Sequence, residues 1–308
     1  LKKKVFDLKK STEVIKNEIN FFKEIFKTLR IYQWVKNGLL FVPTILALQP
    51  VQLISLNLIS GFFSFSLIAS SFYILNDLFD IESDRNHRSK KKRSFASGTL
   101  SIPTGIAVMF IMLVFSLIIA IDLPIYFQYC LVIYALSTFL YSKYLKQLPI
   151  IDILTLSYLY LLRIISGGIL ASISMSNWLL TFSVFFFLFL AAVKRWIELK
   201  KTNTNLIHGR GYEMNDIPFV SQISYFSGLI SVLIICLYIE SQQAQALYDS
   251  SKILWFIPII LLYWILETLF KVERDIVDDD PVKYAIKSKT SYIALISFII
   301  ILFLTSVL

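Results

Sequence analysis

The chain has 308 residues, 56% of them apolar and 15% aromatic, with a formal net charge of +9 and a mean hydropathy of +0.69. That apolar excess excludes an ordinary soluble domain, and no nucleic-acid motif accompanies the basic charge, so nucleic acid is excluded and membrane phospholipid or anionic substrates remain as partners. Cys130 and Cys236 lie inside apolar runs without CxxC spacing, which excludes a disulfide framework or a zinc site.

Residues 1–30 place Val5, Leu8, Ile15, Ile19, Phe22, Phe26 and Leu29 at roughly helical spacing among lysines, the pattern of an amphipathic helix lying on a membrane surface. The stretch has no cleavage-site pattern and no continuous apolar core, so it is not read as a secretory signal. Residues 31–308 form one polytopic helical domain. It opens with "RIYQWVKNGLLF", where Arg30, Gln33, Trp34, Lys36 and Asn37 mix polar hooks with an interfacial aromatic.

Apolar windows near the length needed to span a bilayer follow at about 37–49, 53–75, 102–121, 124–141, 150–173, 178–196, 217–239, 253–270 and 291–308. This predicts an all-α integral membrane protein with about nine transmembrane helices. With the N-terminus inside, every Lys and Arg except Lys252 and Arg163 falls on the cytoplasmic side, as retention of basic loops requires. Residues that carry chemistry are therefore expected at the cytoplasmic face of the cell membrane, with the C-terminus outside.

The second window runs into "NDLFDIESDRNHRSKKKR". Asp77, Asp80 and Asp84 fall at i, i+3 and i+7, with Asn76 four before Asp80, so a continuing helix aligns them on one face. Three crowded carboxylates call for a compensating charge. A hard cation such as Mg²⁺, which takes oxygen ligands and keeps substrate phosphates in its shell, suits them, while a solvated helix end neutralised by the basic run is the plain alternative. His87 reads as a ligand, a base, a phosphate donor or simply a hydrogen-bonded interfacial histidine. In the run Arg88 to Arg93, the lysines suit a lipid-facing patch, and Arg93 suits bidentate contact with phosphate.

The fifth window, within "YSKYLKQLPIIDILTLSYLYLLRIISGG", holds Asp152 and Arg163. An ion inside an apolar helix is a functional hypothesis by default. Eleven residues put the two on one side but about 16 Å apart in height, so they do not pair. Arg163 is also readable as a structural bridge, for instance to Glu267. The sixth window ends in "KRWIELKK", where Lys194, Arg195 and Glu198 form either a helix-end ion pair or an anion site. The acids of "RDIVDDDP", from Arg274 to Pro281, point in successive directions and read as a solvated loop.

In this order the motifs resemble the UbiA superfamily of intramembrane prenyltransferases, whose first aspartate motif is NDxxDxxxD. The nearest likeness is to its decaprenyl-phosphate phosphoribosyltransferase branch, through "RIYQWVKN", "YSKYLKQLPIIDILTL", "RIISGG", "KRWIEL", "RGY" and "DDPVKYA", between about Arg30 and Tyr284. The resemblance implies a single UbiA-like bundle that transfers 5-phosphoribose from phosphoribosyl diphosphate to a polyprenyl phosphate. It implies Mg²⁺ on Asp77, Asp80 and Asp84, with Asp152 as a fourth catalytic acid. It places Lys36, Asn76, His87, Arg93 and Tyr141 at the substrate, together with Lys146, Arg163, Lys194, Arg195 and Glu198.

Where the branch pattern has "HPxKRxRPIASG" this chain has "HRSKKKRSFASG", so two expected prolines become Arg88 and Ser94. The alternative enzyme is a prenyltransferase that uses prenyl diphosphate, with "RDIVDDD" as a second metal site. A transporter for an anionic metabolite requires polar groups on a route to both faces, and the outer loops near 49–52, 122–124 and 172–177 are nearly bare.

Overall fold

The computed structural model describes residues 21–86, 90–201, 210–248, 251–277 and 281–307. Helix α1, Phe21–Leu29, leads into a 3-10 segment, Ile31–Phe41, followed by the short helices α2, Val42–Leu46, and α3, Pro50–Leu53. Then come α4, Leu56–Phe79; α5, Ile81–Asn86; α6, Ile102–Ala120; α7, Ile125–Lys143; and α8, Ile151–Leu170. The second half holds α9, Asn177–Lys200; α10, Ile217–Ile239; α11, Gln242–Leu247; α12, Phe256–Glu273; α13, Pro281–Lys287; and α14, Lys289–Val307. No β-strand occurs among the described residues.

Among the described residues, seven of the nine apolar windows form helices long and apolar enough to cross a membrane, and the protein is an integral membrane protein. The last window forms α14, joined to α13 at a bend of 78°. The first window, 37–49, does not form one helix. Proline lacks the N–H that a helix interior needs and is welcome only in a first turn. Accordingly Pro43 and Pro50 each begin a new short helix, and the chain before them winds as 3-10. Of the surface helix read at 1–30, residues 1–20 lie outside the described residues. Phe21–Leu29 is helical and leaves Phe21, Phe22 and Phe26 exposed.

Helix α8 is the most buried of the seven and divides two apolar cores. Leu159, Leu162 and Leu170 join Leu58, Phe65, Phe127 and Tyr134 on one side. Ile153 and Ile164 join Phe187, Phe189, Trp196 and Ile265 on the other. The 3-10 segment lies directly on α8 because Gly167 has no side chain: a Cβ there would stand 2.0 Å from the Leu40 carbonyl oxygen. Serines serve as close-contact glue between α4 and α6, through Ser64 with Ser116 and Ser71 with the Met109 carbonyl.

Arg163 is consumed by this packing. Its Nε donates to Asn37 Oδ1 at 2.9 Å, Nη1 to the Leu159 carbonyl at 2.5 Å and Nη2 to the Tyr134 hydroxyl at 3.1 Å. Phe65, Tyr134 and Tyr160 present ring faces to the guanidinium. The cation thus ties the 3-10 segment, α4, α7 and α8 together, and it does not reach Glu267, which holds Lys271 and Thr290 instead.

Candidate functional site

The aspartate motif straddles the end of α4. Asp77 lies in its last turn, Asp80 ends it with φ −97° and ψ 7°, and Asp84 sits in α5. The bonds from the Asp80 N–H to the Asn76 carbonyl and from the Asp84 N–H to the Asp80 carbonyl keep the turn spacing across the break. The stripe nevertheless divides by partner. Asp77 and Asp84 share one cationic nitrogen, Arg93 Nη1, at 3.0 and 2.7 Å, and Asp77 also takes Arg30. Asp80 pairs with Lys146 and accepts from Asn76 Nδ2 at 3.1 Å. Burial raises the Asp84 carboxyl above the ordinary aspartate value against the pull of Arg93, and the charge of Asp77 adds to the rise.

Among the described residues, no three His, Cys, Asp or Glu side chains converge as a ready metal cage. Mg²⁺, however, is commonly held by one or two carboxylates, with waters and substrate phosphates completing its shell. Asp77 Oδ1 and Asp84 Oδ2, both within hydrogen-bond reach of one cationic nitrogen, fit that smaller demand. Asp80 is engaged by Lys146 and Asn76 instead.

A second charged cluster surrounds Asp152, in the first turn of α8. The turn before it is strained: Ile150 is β-branched yet has φ 69° and ψ −53°, a region costly for such a residue. The Ile150 N–H donates to the Tyr212 hydroxyl at 2.7 Å, which secures the turn from the RGY segment. That segment approaches closely because residue 211 is glycine; a Cβ there would lie 2.3 Å from the Gln147 carbonyl oxygen.

Asp152 and Arg195 are fully buried. Asp152 Oδ1 accepts from Arg195 Nη2 at 2.7 Å and from the Tyr141 hydroxyl at 3.3 Å, with Arg210 Nη1 at 3.6 Å. Glu198 takes Arg195 and the Nε of Arg210, the latter at 3.3 Å. Lys194, half-buried one turn earlier, adds to the field around Glu198. Burial works against the charge on Arg210, but Glu198, Tyr141 and Asp152 outweigh it and raise its pKa. Burial and the charge of Asp152 push the Tyr212 hydroxyl up to about 12. Among the described residues, two atoms of this buried network have no partner, Asp152 Oδ2 and Arg195 Nε. Buried polar atoms are normally satisfied, so these two mark where a further polar group belongs.

The clusters form one rim. Lys90 feels the charges of both clusters, Glu198 and Arg210 of one and Arg93 and Asp84 of the other; burial lowers its pKa, opposed by Glu198 and reinforced by Arg210 and Arg93. Lys146 links Asp80 to the turn that seats Asp152. Of the residues read from the sequence, Asn76, Asp77, Asp80, Asp84, Arg93, Tyr141, Lys146, Asp152, Lys194, Arg195 and Glu198 come together here. Lys36 is half-buried on the 3-10 segment beside Asn37, Arg163 is spent on packing, and His87 lies outside the described residues. Arg30, Lys90, Arg210 and Tyr212 join the rim without having been singled out as site residues. The available signals were the polar "RIYQW" start and the lone "RGY" in a polar loop.

A model of the UbiA prenyltransferase family matches residues 39–203. The uncharacterized protein y4nM of Sinorhizobium fredii is 34% identical over 88% of this chain, which spans 53% of that protein. The decaprenyl-phosphate phosphoribosyltransferase of Mycobacterium tuberculosis is 33% identical over 58% of this chain and 61% of its own length. Among solved structures, a UbiA homolog from Archaeoglobus fulgidus bound to DMAPP and Mg²⁺ superposes with a TM-score of 0.67 at 15% identity, over 92% of this chain and all of that one.

Proposed function

Because the chain belongs to the UbiA prenyltransferase family, we propose that it transfers 5-phosphoribose from phosphoribosyl diphosphate to a polyprenyl phosphate, releasing diphosphate at the cytoplasmic face of the membrane. The observation that carries this reading is the rim's charge balance. Arg30, Lys90, Arg93, Lys146, Lys194, Arg195 and Arg210 outnumber the carboxylates of Asp77, Asp80, Asp84, Asp152 and Glu198. Such a surplus suits a donor and an acceptor that both carry phosphate. The end of α9, where prenyl transfer by the resembling enzymes uses a second set of acids, supplies Lys194 and Arg195.

Asp77 and Asp84 would hold Mg²⁺, which supplies positive charge to a departing diphosphate. Arg93 and Lys146 steady its outer oxygens, and their placement before reaction removes the cost of reorganising solvent around them. Asp152 Oδ2, buried and without a partner among the described residues, accepts a ribose hydroxyl and orients C1 toward the acceptor. The acceptor phosphate is already an anion, so no general base is needed. A polyprenyl chain approaches sideways through lipid, while the water-soluble donor arrives at the basic rim. Counting 37–49 and α14 as crossings, a cytoplasmic N-terminus, as the distribution of basic residues suggests, would put that rim at the inner face.

Prenyl transfer from a prenyl diphosphate is the second reading, favoured by the family. The test is incubation of the full chain in lipid nanodiscs with Mg²⁺, polyprenyl phosphate and labelled phosphoribosyl diphosphate. A lipid-linked phosphoribose is expected. Its absence, with prenylation of an aromatic acid from prenyl diphosphate in parallel, reverses the order of the two readings.

A further inference from the structure

The loop that delivers Arg93 is gripped from an unexpected quarter. Phe95 and Leu100 bury its apolar side, but its polar side is held by α1, about seventy residues earlier in the chain. Glu24 Oε2 accepts from Ser94 Oγ at 2.8 Å and from Thr99 Oγ1 at 3.0 Å, and Lys27 Nζ stands 3.2 Å away. Thr28 Oγ1 lies 3.0 Å from Ser94 Oγ, closing the cluster. Ser94 is 4% exposed and is the covalent neighbour of Arg93, whose guanidinium spans Asp77 and Asp84. Ser94 also stands where the resembling branch pattern has proline, so this chain has a hydroxyl where that pattern offers none.

Helix α1 reaches Asp77 a second time, directly. Arg30 follows the last turn in a left-handed conformation, φ 51°, and donates to the same Oδ1 that accepts from Arg93. One helix therefore sets both guanidinium groups that meet Asp77.

We propose that Glu24 is a positioning residue for Arg93: it tethers Ser94 and Thr99 to the surface helix and so fixes the guanidinium at the diphosphate site. This rests on the reading of Asp77, Asp84 and Arg93 as that site, but not on which diphosphate ester is the donor. Glu24 touches no reacting atom. Loss of its carboxylate lets the loop pivot on Phe95, and Arg93 then samples positions off the carboxylates.

The test is calorimetric titration of inorganic diphosphate with Mg²⁺ into the full chain in nanodiscs, for wild type, Glu24→Ala, Glu24→Gln, Ser94→Ala, Arg93→Ala and the pair Glu24→Ala with Arg93→Ala. A hydrogen bond to a charged group is worth enough that Glu24→Ala is expected to weaken binding about tenfold. Glu24→Gln, which keeps one acceptor oxygen, is expected to recover part of that. In the Arg93→Ala background, Glu24→Ala is expected to add nothing. A tenfold loss that persists in that background overturns the proposal, as does wild-type affinity in Glu24→Ala. Should Glu24→Ala fail to fold, Ser94→Ala alone and over Arg93→Ala decides in the same way. Wild type that binds no magnesium diphosphate removes the site reading itself, a result visible before any substitution is made.

Discussion

Replacement of Asp152 by asparagine separates a working carboxylate from a mere counter-ion. The amide oxygen must take the place of Oδ1, because Arg195 Nη2, the Tyr141 hydroxyl and Arg210 Nη1 all face that position. The amide nitrogen then takes the place of the unpartnered Oδ2, turning an anionic acceptor into a neutral donor. Glu198 still pairs with both arginines, so the fold is expected to persist. A hydrogen bond to a charged group contributes about 1.5–3 kcal/mol. At about 1.4 kcal/mol per factor of ten, loss of that bond to a ribose hydroxyl slows transfer roughly 10- to 100-fold. The assay is steady-state transfer in nanodiscs, with kcat and donor KM measured separately and thermal unfolding followed alongside. The loss is expected in kcat, with donor KM little changed, since a removed negative charge does not repel phosphate. A kcat near wild type with a lowered melting temperature refutes the reasoning and leaves Asp152 as a counter-ion to Arg195 and Arg210.

Arg163→Met is expected to lower the melting temperature while leaving both KM values in place, because Asn37 and Tyr134 lose a buried donor worth about 1–3 kcal/mol. Gly211→Ala sets a methyl group against the Gln147 carbonyl and displaces Arg210 and Tyr212, so it is expected to reduce transfer strongly in the same assay. Asp77→Asn and Asp84→Asn are each expected to raise the Mg²⁺ concentration for half-maximal activity more than Asp80→Asn does, and chelation of Mg²⁺ to abolish transfer. Burial pushes the Glu24 carboxyl up, but hydrogen bonds from Ser94, Thr99 and Lys27 outweigh that and hold it below the ordinary glutamate value of 4.5. Its folded-state pKa is depressed, so its contribution is present above pH 4.5 and lost as pH falls through the lower folded value. The stability difference between wild type and Glu24→Gln is therefore expected to be constant above pH 4.5 and to shrink below it.

The long spans were legible in the sequence because an apolar run of bilayer length has few other uses. The 37–49 window was not, because its apolar count hides Pro43, which restarts the helix within it, and Pro50 restarts it again just beyond. Arg163 read as a site residue for a sound reason, an ion within an apolar helix, yet its partners, Asn37 and Tyr134, lie on other segments. The aspartate spacing singled out the acids on which the proposed site rests. It did not show how the three carboxylates divide, because Arg30 and Lys146 arrive from segments remote in sequence. Arg210 was invisible for the same reason: a single basic residue in a polar loop gains meaning only when the loop folds onto Asp152 and Glu198.

The most direct measurement is an experimental structure of the chain with phosphoribosyl diphosphate and Mn²⁺ in place of Mg²⁺, located by its anomalous signal. Asp77 and Asp84 are expected at ligand distance from the ion, with the diphosphate against Arg93 and a ribose hydroxyl on Asp152. An ion beside Asp275, or a diphosphate away from Arg93 and Lys146, would contradict the assignment of this rim as the reaction site.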